Sequence, residues 1–209
     1  MIEHMAEADA GSGWDRRRKV RLTEYERLAL GMFADRGFKD VTFDELADAA
    51  GVSARTLFRY FPTKEEFLLA FPRRGVAAAV ETIASLEPSD SPLETAWKRL
   101  LEFSSESVLD VELLTLWRRA ALEAPDVVAQ VRGERVQALV DALTDYCARS
   151  LDTDPASDVR PRLLAGIIAG GELALIETLS RSELTAPEVF SAVEQAMRML
   201  EGPTKAGGA

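Results

Sequence analysis

Apolar residues recur at helical spacing along most of the chain, and the residues between them mark where each helix starts and stops. Over 22–36, Tyr25, Leu28, Ala29, Met32 and Phe33 fall at i, i+3, i+4, i+7 and i+8, one core-facing stripe. Gly37 ends it. Thr42 and Glu45 form a T-x-x-E capping box, which predicts a helix start. Phe43, Leu46, Ala47 and Ala50 then share one face, and Gly51 stands where a left-handed residue is expected. Ser53 suits the N-cap of a second helix over 54–60, with Leu57 and Phe61 turned inward and Pro62 as its stop. Thr63 and Glu66 repeat the capping box and open a third helix running towards residue 87, with Pro72 an early break or kink.

Further helices are expected over 92–108, 111–123, 125–151, 156–180 and 187–200. Pro92, Pro125 and Pro187 are each placed like a first helical residue, and Asp–Pro clusters between the segments mark turns. Strand-like alternation is scarce, so the fold class is all-α. The expected organisation is a disordered 1–13, a helix-turn-helix domain over 14–72, a helical domain over 73–202 and a frayed 203–209.

Charge refines that division. The whole chain carries a formal net charge of −10. Residues 14–74 hold 13 Lys+Arg against 10 Asp+Glu, whereas 75–209 hold 12 against 22. A mildly basic segment is thus joined to an acidic body, an arrangement that lets phosphate attract the former while the latter limits sticking to polyanions. Cys147 is the single cysteine, so no intramolecular disulfide forms, and a reducing cytoplasm is expected. Neither an apolar signal segment nor a membrane-length apolar run is apparent.

Helix, Gly-containing turn, helix is the helix-turn-helix pattern, whose second helix lies in the DNA major groove. Arg55, Thr56, Arg59 and Tyr60 put guanidinium, hydroxyl and phenol groups on or near its outer side. Arg can donate twice to guanine, and hydroxyls suit phosphates. Lys64 is expected in the first turn of the next helix, where the helix dipole disfavours a cation, so a DNA phosphate would account for it. The run Arg16, Arg17, Arg18, Lys19, Arg21 is either a solvated helix start or an arm that touches DNA. The candidate DNA contacts are Arg18, Thr42, Ser53, Ala54, Arg55, Thr56, Phe58, Arg59, Tyr60 and Lys64.

The stretch GFKDVTFDELADAAGVSARTLFRYFPTKEEFLLA resembles the DNA-binding domain of the tetracycline-repressor (TetR) family, closely over 25–69. Phe58 departs from it, since the family usually has Tyr there, and a phenolic bond to phosphate is lost. The C-terminal region loosely resembles acyl-CoA-responsive members, including the mycofactocin-associated group. The resemblance implies a ligand-responsive repressor: a homodimer on a pseudo-palindromic operator, released when a small effector binds the C-terminal domain.

Candidate effector contacts are Trp97, Leu101, Leu114, Trp117, Arg118, Ile176 and Glu177, with the Arg receiving an anionic end of a mainly apolar ligand. Both Trp residues could equally be core. The apolar, Gly-containing LLAGIIAGGELALIETL is expected to pack closely against a second copy through Ile167, Gly170, Gly171 and Ala174, joined by Val193 and Met197. Core helices of a monomer are the alternative. An enzyme is disfavoured: no H-E-x-x-H, G-x-S-x-G or P-loop occurs, and His4 is the last histidine. No cofactor and no metal are expected. A ligand-independent architectural DNA-binding protein remains the other reading.

Overall fold

The computed structural model describes residues 2–107, 111–181 and scattered positions between 188 and 199; side chains are described over 17–103 and 112–174 and at those scattered positions. The described elements are all helical: α1 (Ile2–Arg36), α2 (Phe43–Ala49), α3 (Ala54–Phe58), α4 (Glu65–Ala84), α5 (Pro92–Ser107), α6 (Val111–Ala121), α7 (Pro125–Leu151) and α8 (Arg160–Arg181). Several boundaries differ from expectation: α4 ends at Ala84 and not near 87, α6 at Ala121 and not 123, and three others have a local cause or consequence. The first helix begins at Ile2, so the segment 2–13 is helical: it holds Met, Ala and Glu and lacks Pro. The second helix-turn-helix helix ends at Phe58. The helix expected from 156 begins at Arg160, because the Asp154 carboxylate accepts the Ala156 N–H at 2.9 Å and holds a turn there. Asp158 then accepts the Arg160 N–H at 2.9 Å and starts α8. The helix expected over 187–200 lies largely outside the described residues.

Two compact units result, and they do not follow the linear order of the chain. The first comprises residues 1–74 together with 109–131; the second comprises 75–108 and 132–209. The segments expected to divide near residue 72 therefore exchange α6 and the start of α7, which pack with the N-terminal helices. Ion pairing and packing both explain this. Arg27 of α1 donates to Glu112 of α6 at 2.5 Å, and Arg119 of α6 donates to the Ala34 carbonyl at 3.0 Å. Leu113 and Ala120 of α6 are buried in the same core as Ala29, Leu30 and Phe33 of α1, Leu46 and Ala47 of α2, Leu57, Phe61 and Phe67. Leu30, outside the expected stripe, is fully buried because α1 packs against more than one neighbour. Each such Leu or Phe contributes roughly 1.5–3 kcal/mol of burial.

The second core joins Ala79 and Ile83 of α4, Trp97 and Leu100 of α5, Leu139, Leu143 and Tyr146 of α7, and Ala165, Ile168 and Ala169 of α8. Cys147 is buried there, as expected of a small core residue, and burial pushes its thiol up to about 11. Arg135 of α7 pairs with Glu172 of α8, the carboxylate being only 5% exposed. Among the described residues no helix is long and apolar enough to cross a membrane.

Candidate DNA interface

The helix-turn-helix is held by local chemistry legible in the sequence. The Thr42 hydroxyl accepts the Glu45 N–H at 3.3 Å, and the Glu45 carboxylate accepts the Thr42 N–H at 2.8 Å. The other Glu45 oxygen takes the Arg36 guanidinium at 2.7 Å. These bonds, led by that from the Thr42 N–H, hold the Glu45 carboxyl down at about 2. Thr42 is therefore first of all a cap. Gly51 turns the chain at φ +67°, a left-handed conformation that glycine adopts without a Cβ penalty. The Ser53 hydroxyl then accepts the Thr56 N–H at 3.2 Å and caps α3.

Helix α3 presents a divided surface. Leu57 is 1% exposed and fixes the helix to the core. Arg55, Phe58 and Arg59 are exposed, while Ala54 and Thr56 are half-buried. The Phe58 ring stacks on Phe43 with centroids 4.0 Å apart, so α2 props the aromatic face that α3 displays. The Ser53 and Thr56 hydroxyls lie 2.9 Å apart and bond each other. Phe61, beyond the end of α3, is buried as expected and stacks on Phe67 at 4.0 Å.

Tyr60 lies past the shortened α3 and is half-buried, not displayed on an outer helix face. Its hydroxyl accepts Arg59 Nη2 at 2.9 Å. The guanidinium carbons of Arg59 and Arg18 stand 4.9 Å and 5.8 Å from its ring centroid, within cation–π range. Arg18 is thus carried by α1, and from Arg17 onward the basic run lies on a helix and not on a free arm.

Lys64 departs most from expectation. It precedes α4 instead of sitting in its first turn, and its amine donates to the carbonyls of Phe38 at 2.6 Å and Val41 at 3.0 Å. The Phe38 ring lies 4.4 Å away. The chain's own carbonyls, left without helical donors in the α1–α2 turn, supply the negative partner that a DNA phosphate was expected to provide.

The expected effector contacts are not brought together within one unit. Trp97 and Leu101 lie on α5 in the second unit, where Trp97 is 6% exposed and its indole N–H has no hydrogen-bond partner among the described residues. Leu114, Trp117 and Arg118 lie on α6 in the first unit. Trp117 Nε1 donates to the Leu68 carbonyl at 2.8 Å, and Arg118 is exposed. The side chains of Ile176 and Glu177 lie outside the described residues.

Of the expected dimer contacts, Ile167 is 48% exposed, and Gly170 and Ala174 are exposed beside it. Leu163 extends the same face at 59% exposure. Gly171 points the other way: a Cβ there would stand 2.7 Å from Trp97 Cη2, so its bareness serves the chain's own core. Val193 and Met197 lie outside the described residues. Sequence reasoning missed Glu26, fully buried and bonded to Arg74 at 2.6 Å, because a lone acid inside an amphipathic stripe carries no signal of its partner 48 positions away.

Comparison with known proteins agrees with this geometry. The family model described as bacterial regulatory proteins, tetR family, matches residues 27–71. The HTH-type transcriptional regulator EthR of Mycobacterium tuberculosis is 29% identical over 156 residues, covering 73% of this chain and 68% of its own. The HTH-type transcriptional repressor KstR of Rhodococcus jostii is 26% identical over 199 residues, covering 95% and 89%. A crystal structure of a TetR/AcrR-family transcriptional regulator from Thermobifida fusca aligns with TM-score 0.52 at 24% identity, covering 89% of this chain and 99% of that one. The capped, Gly-turned helix-turn-helix over 27–71 is thus a match to the tetR-family model, and over most of its length the chain is similar to HTH-type transcriptional regulators.

Proposed function

We propose that the chain is a repressor that binds a pseudo-palindromic operator as a cytoplasmic homodimer and leaves it when a small effector binds. The observation that carries the reading is the surface of α3: Arg55 exposed with Phe58, over a buried Leu57. Such a helix is rigidly seated and chemically suited to read base edges in the major groove. No catalytic role is assigned to any residue, and no enzyme activity is part of the reading. The second copy docks on the exposed face of α8 formed by Leu163, Ile167 and Gly170, since two half-sites need two recognition helices.

The effector is a small apolar or acyl-type molecule in the second unit. Trp97 supports this by offering a buried indole N–H to a ligand oxygen, with Leu101 beside it on α5. Effector and DNA must weaken each other by the same factor. Trp fluorescence titration with fatty acids and acyl-CoAs, with and without DNA, tests that class; equal affinity in both conditions excludes it as inducer.

The test of the DNA reading is a binding selection from random duplexes. Arg55→Ala should cost about 1–3 kcal/mol on the selected duplex and relax preference at one base pair per half-site. Unchanged affinity and preference would show that Arg55 does not read a base.

A further inference from the structure

We infer that Tyr146 and Trp97 form the polar end of the effector site, and that they select a neutral ligand bearing a carbonyl group, such as a ketone or ester, over a free carboxylate. The inference rests on the effector reading above and names the chemistry that the second unit would recognise.

The two side chains belong to one core. Tyr146 is fully buried and Trp97 nearly so, in the cluster they share with Ile83, Leu100, Leu143 and Ile168. Ser89 ties their helices together at one end. Its N–H donates to the Ser150 hydroxyl of α7 at 3.2 Å, and its hydroxyl lies 2.8 Å from that of Thr95 on α5. Trp97 stands two residues after Thr95 and Tyr146 four before Ser150, so each lies within about one helical turn of that junction. The bare Gly171 of α8 leaves room for the six-membered ring of Trp97, which seats the indole.

Thr144 and Glu172, buried in the same unit, are paired. The Thr144 hydroxyl donates to the Val140 carbonyl at 2.6 Å, and the Glu172 carboxylate accepts Arg135 Nε at 3.1 Å and a second bond from Arg135 Nη2. The Tyr146 hydroxyl and the Trp97 indole N–H, by contrast, have no hydrogen-bond partner among the described residues. A buried donor left unpaired is destabilising, so each of the two calls for an acceptor. One carbonyl oxygen, with two lone pairs, can accept from both. Charge then separates a carbonyl from a carboxylate. The Arg135 guanidinium is engaged by Glu172. Arg149, 5.9 Å from the Tyr146 ring centroid, is exposed and donates to the Leu86 carbonyl at 3.2 Å. A carboxylate entering this core would be desolvated beside cations already engaged, a penalty that a neutral carbonyl does not carry.

The test titrates three ten-carbon probes, 2-decanone, cyclodecanone and decanoate, into the wild type and Tyr146→Phe, with tryptophan fluorescence as the readout. A melting curve of each protein is taken without probe. At least one ketone should saturate the wild type, bind about tenfold more tightly than decanoate, and lose about tenfold in Tyr146→Phe. Without probe the variant should melt no lower than the wild type, because the substitution removes a hydroxyl that the chain leaves unpaired. A lower melting temperature would show that the hydroxyl serves the fold and would overturn its part in recognition. A ketone that binds both proteins equally, or decanoate that binds the wild type more tightly than either ketone, overturns the inference and leaves the effector reading standing. If no probe saturates the wild type, the inference and the apolar-effector reading fail together. If a ketone binds through Tyr146 but a duplex recovered by binding selection leaves its affinity unchanged, the site stands and the inducer role fails.

Discussion

At the scale of single residues, the helix-turn-helix depends on small polar groups with fixed tasks. Glu45 carries two of them, capping α2 and pairing with Arg36. Its folded-state value of about 2 lies below the ordinary 4.5, so the ionised form is favoured by folding. That contribution is complete above about 4.5 and is lost as pH falls from there through about 2. Glu45→Gln should therefore reduce stability at neutral pH and flatten the acid limb of the stability curve over that window. Urea denaturation at a series of pH values measures it; an acid limb identical to wild type would mean that Glu45 is not selectively ionised. Lys64 shows the complementary case. Its charge and position were legible, but its partners are carbonyls of a turn more than twenty residues upstream.

Among elements, the joint between α4 and α6 has a specific cause. Pro72 lies inside α4 and has no N–H, so the Leu68 carbonyl loses its helical donor. Trp117 of α6 donates to that carbonyl at 2.8 Å. This explains how α4 continues through a residue expected to break or kink it, and why Trp117 belongs to the first unit. Trp117→Phe should cost about 1–2 kcal/mol, much of it the unpaired carbonyl. Pro72→Ala restores a backbone donor and should recover part of that loss in the double variant. A denaturation double-mutant cycle reads the coupling, and simple additivity would sink the explanation. Within α8, two adjacent glycines have opposite surroundings. Gly171→Ala should lower the melting temperature, because its methyl meets the Trp97 ring at 2.7 Å. Gly170→Ala meets nothing within 4 Å among the described residues and gains helix propensity of about 1 kcal/mol. Equal melting temperatures for the two would show that Trp97 yields freely.

For the whole molecule, the prediction concerns assembly. Ile167 and Leu163 leave an apolar face on α8 of the second unit, 48% and 59% exposed. Ile167→Asp should leave the helical content intact, shift the particle to monomer mass in light scattering, and weaken operator binding at least tenfold. A wild type that is already monomeric at micromolar concentration would refute the homodimer.

What sequence alone determined was local. Caps, glycine turns and helical periodicity act within one or two turns of chain, so Thr42 with Glu45, Gly51, Ser53 and the inward Leu57 and Phe61 were all readable, and with them the helix-turn-helix. Tertiary structure decided whatever depends on partners distant in the chain. It sent Trp117 to the Leu68 carbonyl in the first unit and Trp97 to Gly171 in the second. It buried Glu26 against Arg74 and turned Lys64 onto the α1–α2 turn. Helical periodicity states that a face is apolar, but not which neighbour covers it. Satisfying a buried carbonyl or carboxylate selects one partner from many similar ones, and only the packed chain makes that selection.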